Sequence, residues 1–587
     1  MLKTPETTDY IDPNTINNLR ELFQARVTRS ANKIAYQYYS ETEKKWNQIS
    51  WQNCEQRIQT WANALKNQQY EKGDRVGILV SNSLEWIIFD QAAFACDLTV
   101  VPLYTEDRAE NIAYILQDAG VKCLLIEGDS HWQRLSKVKD KLDGVECIIN
   151  LERIKQNTHN QRIIYVNDWL EPENDNLVQS SITRHELASI VYTSGTTGKP
   201  KGVMLTHDNI LQNVWAGVHS IYVYPEDHFL SFLPLSHMLE RTIGYYFPML
   251  CGSTVSFSRS ISELAQDLQT QNPSIIISVP RIFERVYLKV EQTIEQKGKL
   301  LKTLFDYAIK TAWQHFLYSQ NKRDWSPSFI LLPIFEHLFY KKIRQKFGNN
   351  FRFAISGGAA LEFHVAQLFI SIGITIAQGY GLTEYSPVIS VNRLEDNDPH
   401  SVGEPLPGVE IRIGENDELL IKGKSTMQGY WHHDDETNKV IDKDKWLHTG
   451  DQAKIINNKI YITGRLKDII VLSNGEKIPP NEIEQAILQD PLFENVIVIG
   501  EKRPYLSALV ILNSELQNDS DYMTEELLEH IQAKMKDFPG YARIHKIAVC
   551  TDPWTIDNGL LTPTMKPKRK SIIECNKKLI DELYSGH

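Results

Sequence analysis

Short, almost wholly apolar runs recur along the first part of this chain, and stretches with helical spacing follow them. Arg75-Val-Gly-Ile-Leu-Val80 reads as a buried strand, and residues 83–96 after it read as a helix. Thr99-Val-Val-Pro-Leu103 and Lys122-Cys-Leu-Leu-Ile126 repeat the strand signal, with a helical stretch over 109–119 between them. A strand that is apolar on both faces must be covered on both, and crossover helices between parallel strands provide that cover. The expectation is an α/β protein with layered, largely parallel sheets.

With 587 residues the chain exceeds what one hydrophobic core holds, so two or more packed units are expected. The pattern changes towards the end. Lys454-Ile-Ile-Asn-Asn-Lys-Ile-Tyr-Ile462 predicts a hairpin turning at Asn457-Asn458. A helix opened by Pro480 follows, then strands at 496–499 and 507–512. These place a small α+β domain over 467–587, behind a large α/β domain over 1–466.

The net charge of −11 argues against nucleic acid as a partner, because such binders carry a basic footprint. Seven scattered cysteines without CxxC spacing predict reduced thiols in a cytoplasmic protein. The first residues lack the apolar stretch of a secretory signal, and no apolar run reaches the ~18 residues of a membrane span. Any membrane contact is therefore expected to be peripheral.

The strand Leu187–Tyr192 runs into Thr193-Ser-Gly-Thr-Thr-Gly-Lys-Pro-Lys-Gly202. Small residues let backbone N–H groups approach an anion closely, and Lys201 adds positive charge, so the segment predicts a phosphate cradle. It is not a Walker loop, because Gly198-Lys199 is followed by Pro200 instead of Ser or Thr.

Residues 192–202 resemble the AMP-binding signature of the adenylate-forming superfamily, which includes acyl-CoA synthetases, luciferases and peptide-synthetase adenylation domains. Four more segments in the family's order strengthen the resemblance: Gln378-Gly-Tyr-Gly-Leu-Thr-Glu384, His448-Thr-Gly-Asp451, Gly464-Arg-Leu-Lys-Asp468 and Leu561-Thr-Pro-Thr-Met-Lys-Pro-Lys-Arg569. The resemblance implies nucleotide contacts from Thr193, Ser194, Gly195, Thr196, Thr197, Gly198, Lys201, Gly357, Gln378, Gly379, Tyr380, Thr383, Asp451, Arg465 and Lys566. Tyr380 offers a ring to stack on adenine, and Asp451 a carboxylate for the ribose hydroxyls. An ion pair between Asp451 and Arg465 is the structural alternative.

Glu384, with Thr193, is expected to hold Mg²⁺ against the ATP phosphates, since hard oxygen ligands suit that ion. Lys566, Thr197 and His237 are the expected catalytic residues. A cation at Lys566 can screen the repulsion between a carboxylate and the α-phosphate as the two converge. The basic neighbours Lys568, Arg569 and Lys570 make a solvated tail the plain alternative. The resemblance also implies a mobile C-terminal domain hinged at Lys467, with Gly475 leaving room for a pantetheine arm.

Pro234-Leu-Ser-His-Met-Leu-Glu-Arg241, Val279-Pro-Arg-Ile-Phe-Glu-Arg285 and Ser356-Gly-Gly-Ala-Ala360 resemble long-chain fatty acid ligases. The implied reaction is ATP-dependent formation of a fatty acyl adenylate, then acyl transfer to CoA. Acyl carrier protein is the other acceptor, and a non-catalytic acyl or nucleotide binder on the same fold the other class. His237 is placed beside the carboxylate, with a satisfied core histidine as its alternative. Arg241 stands where some long-chain members carry a tryptophan gate.

Residues 281–350 differ in character from the rest, holding 13 Lys and Arg against 6 Asp and Glu, a balance of +7 in an acidic chain. Trp313, Phe316, Leu317, Trp325, Phe329, Phe335 and Phe339 interleave with that charge. The stretch predicts a basic helical insert, packed on its neighbours or facing a membrane surface.

Overall fold

The computed structural model describes residues 9–153, 162–170, 177–193, 199–513, 524–536, 538–562 and 565–585. The phosphate-cradle residues Ser194, Gly195, Thr196, Thr197 and Gly198 lie outside that description, so their expected contacts are not addressed by it.

Two large sheets dominate the first 430 residues. One has eight strands, with Leu187–Thr193, Thr99–Pro102, Arg75–Leu79, Val121–Ile126, Cys147–Asn150 and Ile163–Tyr165 running parallel. Lys201–Thr206 and Gly429–Tyr430 extend it antiparallel at one edge. The other has nine strands, whose parallel centre runs from Thr375–Gly381 through Phe353–Ser356, Ile275–Ser278, His228–Ser231 and Thr254–Phe257 to Ile34–Ser40. The expected alternation of apolar strand and helix is what the structure builds.

Helix Leu84–Ala95 shows how a layered core is made from such a sequence. Ser83 caps it by accepting from the Trp86 N–H. Every residue of the helix except Glu85 is buried. It belongs to one apolar cluster with side chains of both sheets, including Ile78 and Val100 of the first and Val255 and Ile277 of the second. A helix apolar on all sides can sit only where both faces are covered.

The insert packs against the nine-stranded sheet. Helices Pro280–Glu295 and Lys299–Ser319 and the helical turns from Pro327 to Arg344 share a core with Leu230, Ile276, Ala354 and Ile376 of its strands. Phe335 and Phe339 are buried there, and Phe329 is buried against His315, Tyr318 and Trp325 of the insert itself. Several of the aromatics that appeared to interleave with the charge are therefore the insert's inner face.

A four-stranded antiparallel sheet, Glu410–Ile413, Glu418–Lys422, Leu447–Ile456 and Lys459–Arg465, follows. The predicted hairpin is present, and Asn457 and Asn458 have φ of 49° and 63°. Such left-handed pairs match the twist of a two-residue hairpin and are easiest for Asn or Gly. The remaining segment folds around Phe493–Ile499, Leu506–Leu512 and Ile544–Val549, with helices including Pro480–Leu488 and Thr524–Lys534 packed on them. A large α/β domain is thus followed by a small one, as expected.

Candidate active site

The site is assembled at strand ends. Ser356 and Gln378 are register partners on adjacent parallel strands; beyond them Gly357-Gly358 leaves the sheet, while Gly379-Tyr380 continues its strand, paired with Val391 and Ser390. Carboxyl ends of parallel strands are where open α/β sheets bind ligands. Gly357 lies against Leu239, with only 3.1 Å from a would-be Cβ to Leu239 Cδ2. Gly358 has φ +81°, which turns its carbonyl outward at a conformation costly for other residues. That carbonyl accepts from Lys566 Nζ at 2.6 Å.

The Asn457-Asn458 turn sets the register as far as Ala453 on Ile462, and a bulge between Gln452 and Ala453 then brings Asp451 opposite Arg465. Arg465 Nε donates to Asp451 Oδ1 at 3.0 Å, and the Tyr380 hydroxyl donates to Asp451 Oδ2 at 2.6 Å. One carboxylate thus ties the nine-stranded sheet to the four-stranded one. The ion pair foreseen as the alternative for these two residues is formed, and it leaves Asp451 beside Lys566. Behind it, Glu418 accepts from the Gly450 N–H at 2.9 Å and contacts His448 Nδ1 at 2.9 Å, bracing the His448–Asp451 turn. The sequence reading missed Glu418, which sits outside every quoted segment.

Lys566 is held by its own loop, where its N–H donates to Thr562 Oγ1 and its carbonyl accepts from the Thr562 N–H. The residue as a whole is exposed, and its ammonium reaches the Gly358 carbonyl beside Arg465 and Asp451. Desolvation there, with Arg465 adding to it, lowers its pKa to about 8. Its basic neighbour Arg569 behaves differently, donating to Glu484 and to the Val498 carbonyl within the small domain. The terminal basic run is therefore not a uniform solvated tail.

His237 faces the same cleft. Burial, with Lys566 adding to it, lowers its pKa to about 4, so the ring is neutral at pH 7. Its Nδ1 accepts from the Leu239 N–H at 3.2 Å, which places the ring proton on Nε2. A neutral donor at this point can orient a carboxylate without neutralising it.

Gln378 is buried with its side chain committed to the protein, accepting from the Leu361 N–H and donating to the Pro399 carbonyl. It holds the Gly357–Leu361 turn in place. Glu384 accepts from the Tyr430 hydroxyl at 2.8 Å and shares with Thr383 a single 3₁₀ turn. Lys201, register partner of Thr193, lies on Glu436 at 2.6 Å and above the Tyr430 ring. Tyr430 therefore links the exit of the cradle segment to Glu384, a role the motifs gave no sign of. Glu384 Oε2 takes no hydrogen bond from a described residue, so the half-buried carboxylate retains an oxygen suited to Mg²⁺.

Arg241 is no gate. It is fully buried on Asp90, Ser189 and Tyr246. Lys467 is exposed, and Gly475 occupies a turn at φ +88° with no atom within 4 Å of a would-be Cβ. The structure brings together Gly358, Tyr380, Asp451, Arg465 and Lys566, with His237 close by, and leaves Gly475 in open space.

Residues 23–431 match the family described as AMP-binding enzyme, and residues 467–587 match its C-terminal domain. This chain belongs to the AMP-binding enzymes. Among similar proteins, long-chain-fatty-acid–CoA ligase FadD15 of Mycobacterium bovis is 30% identical over 564 residues, covering 92% of this chain and 93% of that one. Long-chain-fatty-acid–[acyl-carrier-protein] ligase AEE15 of Arabidopsis thaliana is 28% identical, covering 92% and 83%. In fold, this AMP-binding enzyme is similar to the anthranilate CoA ligase AuaEII solved with anthranoyl-AMP. The TM-score is 0.75 at 19% identity, covering 97% of this chain and 100% of that one.

Proposed function

We propose that this AMP-binding enzyme activates a long-chain fatty acid with ATP and transfers the acyl group to CoA. A carboxylate oxygen attacks the α-phosphorus and pyrophosphate leaves; a thiol sulfur then attacks the acyl carbon and AMP leaves. The observation that carries the first step is Lys566, whose ammonium sits on the Gly358 carbonyl beside Asp451 and Arg465. A positive charge held between the acid site and the nucleotide site lowers the cost of bringing two anions together. Similarity to long-chain-fatty-acid–CoA ligases supports the acid and the acceptor.

In this reading Asp451 and Tyr380 take the ribose and adenine, and Arg465 moves from Asp451 to phosphate or ribose. His237 orients the acid through Nε2–H, and Gln378 keeps the Gly357–Leu361 turn in shape. Thr193 to Gly198 with Lys201 cradle the phosphates. Mg²⁺ at Glu384 would neutralise part of their charge. Residues 1–466 form the unit that binds acid and nucleotide. Residues 467–587 form a second unit that turns about Lys467 to exchange Lys566 for the Gly475 turn. We place the enzyme in the cytoplasm, peripheral to a membrane; no helix among the described residues is long and apolar enough to cross one.

The acceptor is open to direct comparison, since AEE15 is named for acyl carrier protein. The test is palmitate-dependent ATP–pyrophosphate exchange, followed by thioester formation with CoA or holo-acyl carrier protein at equal thiol concentration. Exchange with palmitate and a clear preference for CoA are expected. Absence of exchange with every fatty acid tried would defeat the ligase reading, and preference for the carrier would replace the acceptor.

A further inference from the structure

The insert's outer surface is unlike the rest of the molecule. Eight of the fourteen exposed large apolar side chains among the described residues fall between Leu300 and Leu338, while the other six are scattered from Leu177 to Met565. Leu300, Leu304 and Tyr307 follow i, i+4, i+7 spacing on helix Lys299–Ser319. Ile330, Ile334 and Leu338 follow i, i+4, i+8 spacing on the helical turns from Pro327 to Arg344. Leu300 is 87% exposed and Ile330 70%.

The two stripes lie on neighbouring pieces and point the same way. Phe305 meets Phe339 edge-on with ring centroids 5.3 Å apart, and the Tyr340 hydroxyl donates to the Ala308 carbonyl at 2.7 Å. Phe305, Ala308, Phe335 and Phe339 face inward to the core shared with the nine-stranded sheet. The residues between them in the spacing must therefore face outward. Tyr307 joins the stripes, its ring 6.0 Å from that of Phe335 next to Ile334.

Charge surrounds this apolar band. Lys297, Lys299, Lys310, Lys341 and Lys342 are exposed and make no ion pair with a described residue. Other basic side chains are already engaged, Lys302 by Glu291 and Asp306, Arg344 by Glu336. Trp325 and Tyr318, also exposed, stand near Phe329. Aliphatic side chains in the middle, with Trp, Tyr and free lysines around them, fit a bilayer interface, where chains reach the acyl region and lysines the headgroups. A symmetric pairing of two copies would instead set the same lysines against one another.

From this we infer that the outer face of the insert docks on an anionic lipid bilayer through Leu300, Leu304, Tyr307, Ile330, Ile334 and Leu338. The partner follows from the proposed function, since a long-chain acid is itself dissolved in lipid. The docked band covers the insert on the side opposite the sheet whose strand ends carry Gly357 and Tyr380. The enzyme thus lies one helical layer from the surface that holds its substrate. Headgroup attraction to the free lysines weakens with salt, because the Debye length falls from about 10 Å at 0.1 M to about 3 Å at 1 M.

The test is sedimentation of the full chain with vesicles of phosphatidylcholine and phosphatidylglycerol at 7:3. Three proteins are compared: wild type, the triple variant Ile330→Ser, Ile334→Ser, Leu338→Ser, and the pair Lys341→Glu, Lys342→Glu. Wild type is expected to sediment and to release as salt rises. Each variant should bind at least fivefold less while retaining pyrophosphate exchange on a soluble medium-chain acid. If the triple variant melts early, the lysine pair decides, since both side chains are fully outside the core.

Wild type remaining in the supernatant overturns the inference, as does unchanged binding of the variants. A concentration-dependent dimer that the triple variant dissolves would also overturn it, by assigning the band to a second copy. Vesicle binding is read without substrate, so a failure of the ligase reading appears separately, as absent exchange with intact binding.

Discussion

Lys566 carries the charge on which adenylation is proposed to depend, and its surroundings make that charge conditional. Desolvation and Arg465 lower its pKa from the ordinary lysine range to about 8, with Asp451 opposing the shift. The protonated form is the active one, so activity is present below that value and is lost as pH rises through it. For the free enzyme, kcat/KM of acyl-adenylate formation is therefore expected to fall tenfold per pH unit above about 8. Lys566→Arg keeps its charge throughout, so a slower enzyme without that limb is expected. Lys566→Ala should lose roughly 100-fold or more at pH 7, as when a main electrostatic contact to the transition state is removed. A descending limb that persists unchanged in Lys566→Arg would assign it to another group.

At the scale of elements, the segment after the acid-site strand holds a feature that composition alone does not disclose. Residues Glu240–Tyr246 form a π-helical turn in which the Glu240 side chain lies where a Cβ on Gly244 would be, 2.4 Å from Oε1. Its carboxyl is fully buried, with neither oxygen in hydrogen-bond geometry to a described residue, and burial, opposed by nearby Ser231, pushes its pKa up to about 8. The folded protein thus keeps a proton that the unfolded chain releases near pH 4.5. Stability should fall as pH rises between those values, by up to about 1.4 kcal/mol per unit. Glu240→Gln removes the titration, so its melting temperature should drop less than the wild type's between pH 6 and pH 8. Equal drops in calorimetry would place the proton elsewhere.

What the sequence disclosed divides along the same line. The buried strands, the Asn457-Asn458 hairpin and the Pro480 helix were legible because period and turn chemistry are local properties. The exposed face of the insert was not. The sequence left these aromatics either packed on neighbours or facing a membrane; Phe335 and Phe339 form the inner core, while Leu300, Ile330 and Ile334 carry the outer band. A helix apolar on two sides does not announce which side finds the sheet. Gln378 read as a nucleotide contact; that its side chain also holds Leu361 and Pro399 was not legible, because those partners are fixed only by the tertiary fold. The register of Asp451 on Arg465 could not be read from the turn, because a bulge between Gln452 and Ala453 shifts the pairing by one residue.

Across the whole molecule, the two ends of the proposed reaction make competing demands on one small domain. Lys566 already reaches Gly358, and the exposed turn at Gly475 stands in open space at φ +88°. If the domain turns about Lys467 between steps, the two residues serve different half-reactions and their variants must separate. Lys566→Ala should stop adenylation while thiolysis of a preformed acyl adenylate survives. Gly475→Leu should do the reverse, because a bulky side chain at a left-handed position both strains the turn and fills the path of a pantetheine arm. Strain alone would lower stability without favouring either step, so melting temperature is measured beside the two rates. Single-turnover assays of pyrophosphate release and of acyl transfer, run on each variant, distinguish the cases. Equal loss of both half-reactions in both variants would mean that one arrangement of the domains serves the entire reaction.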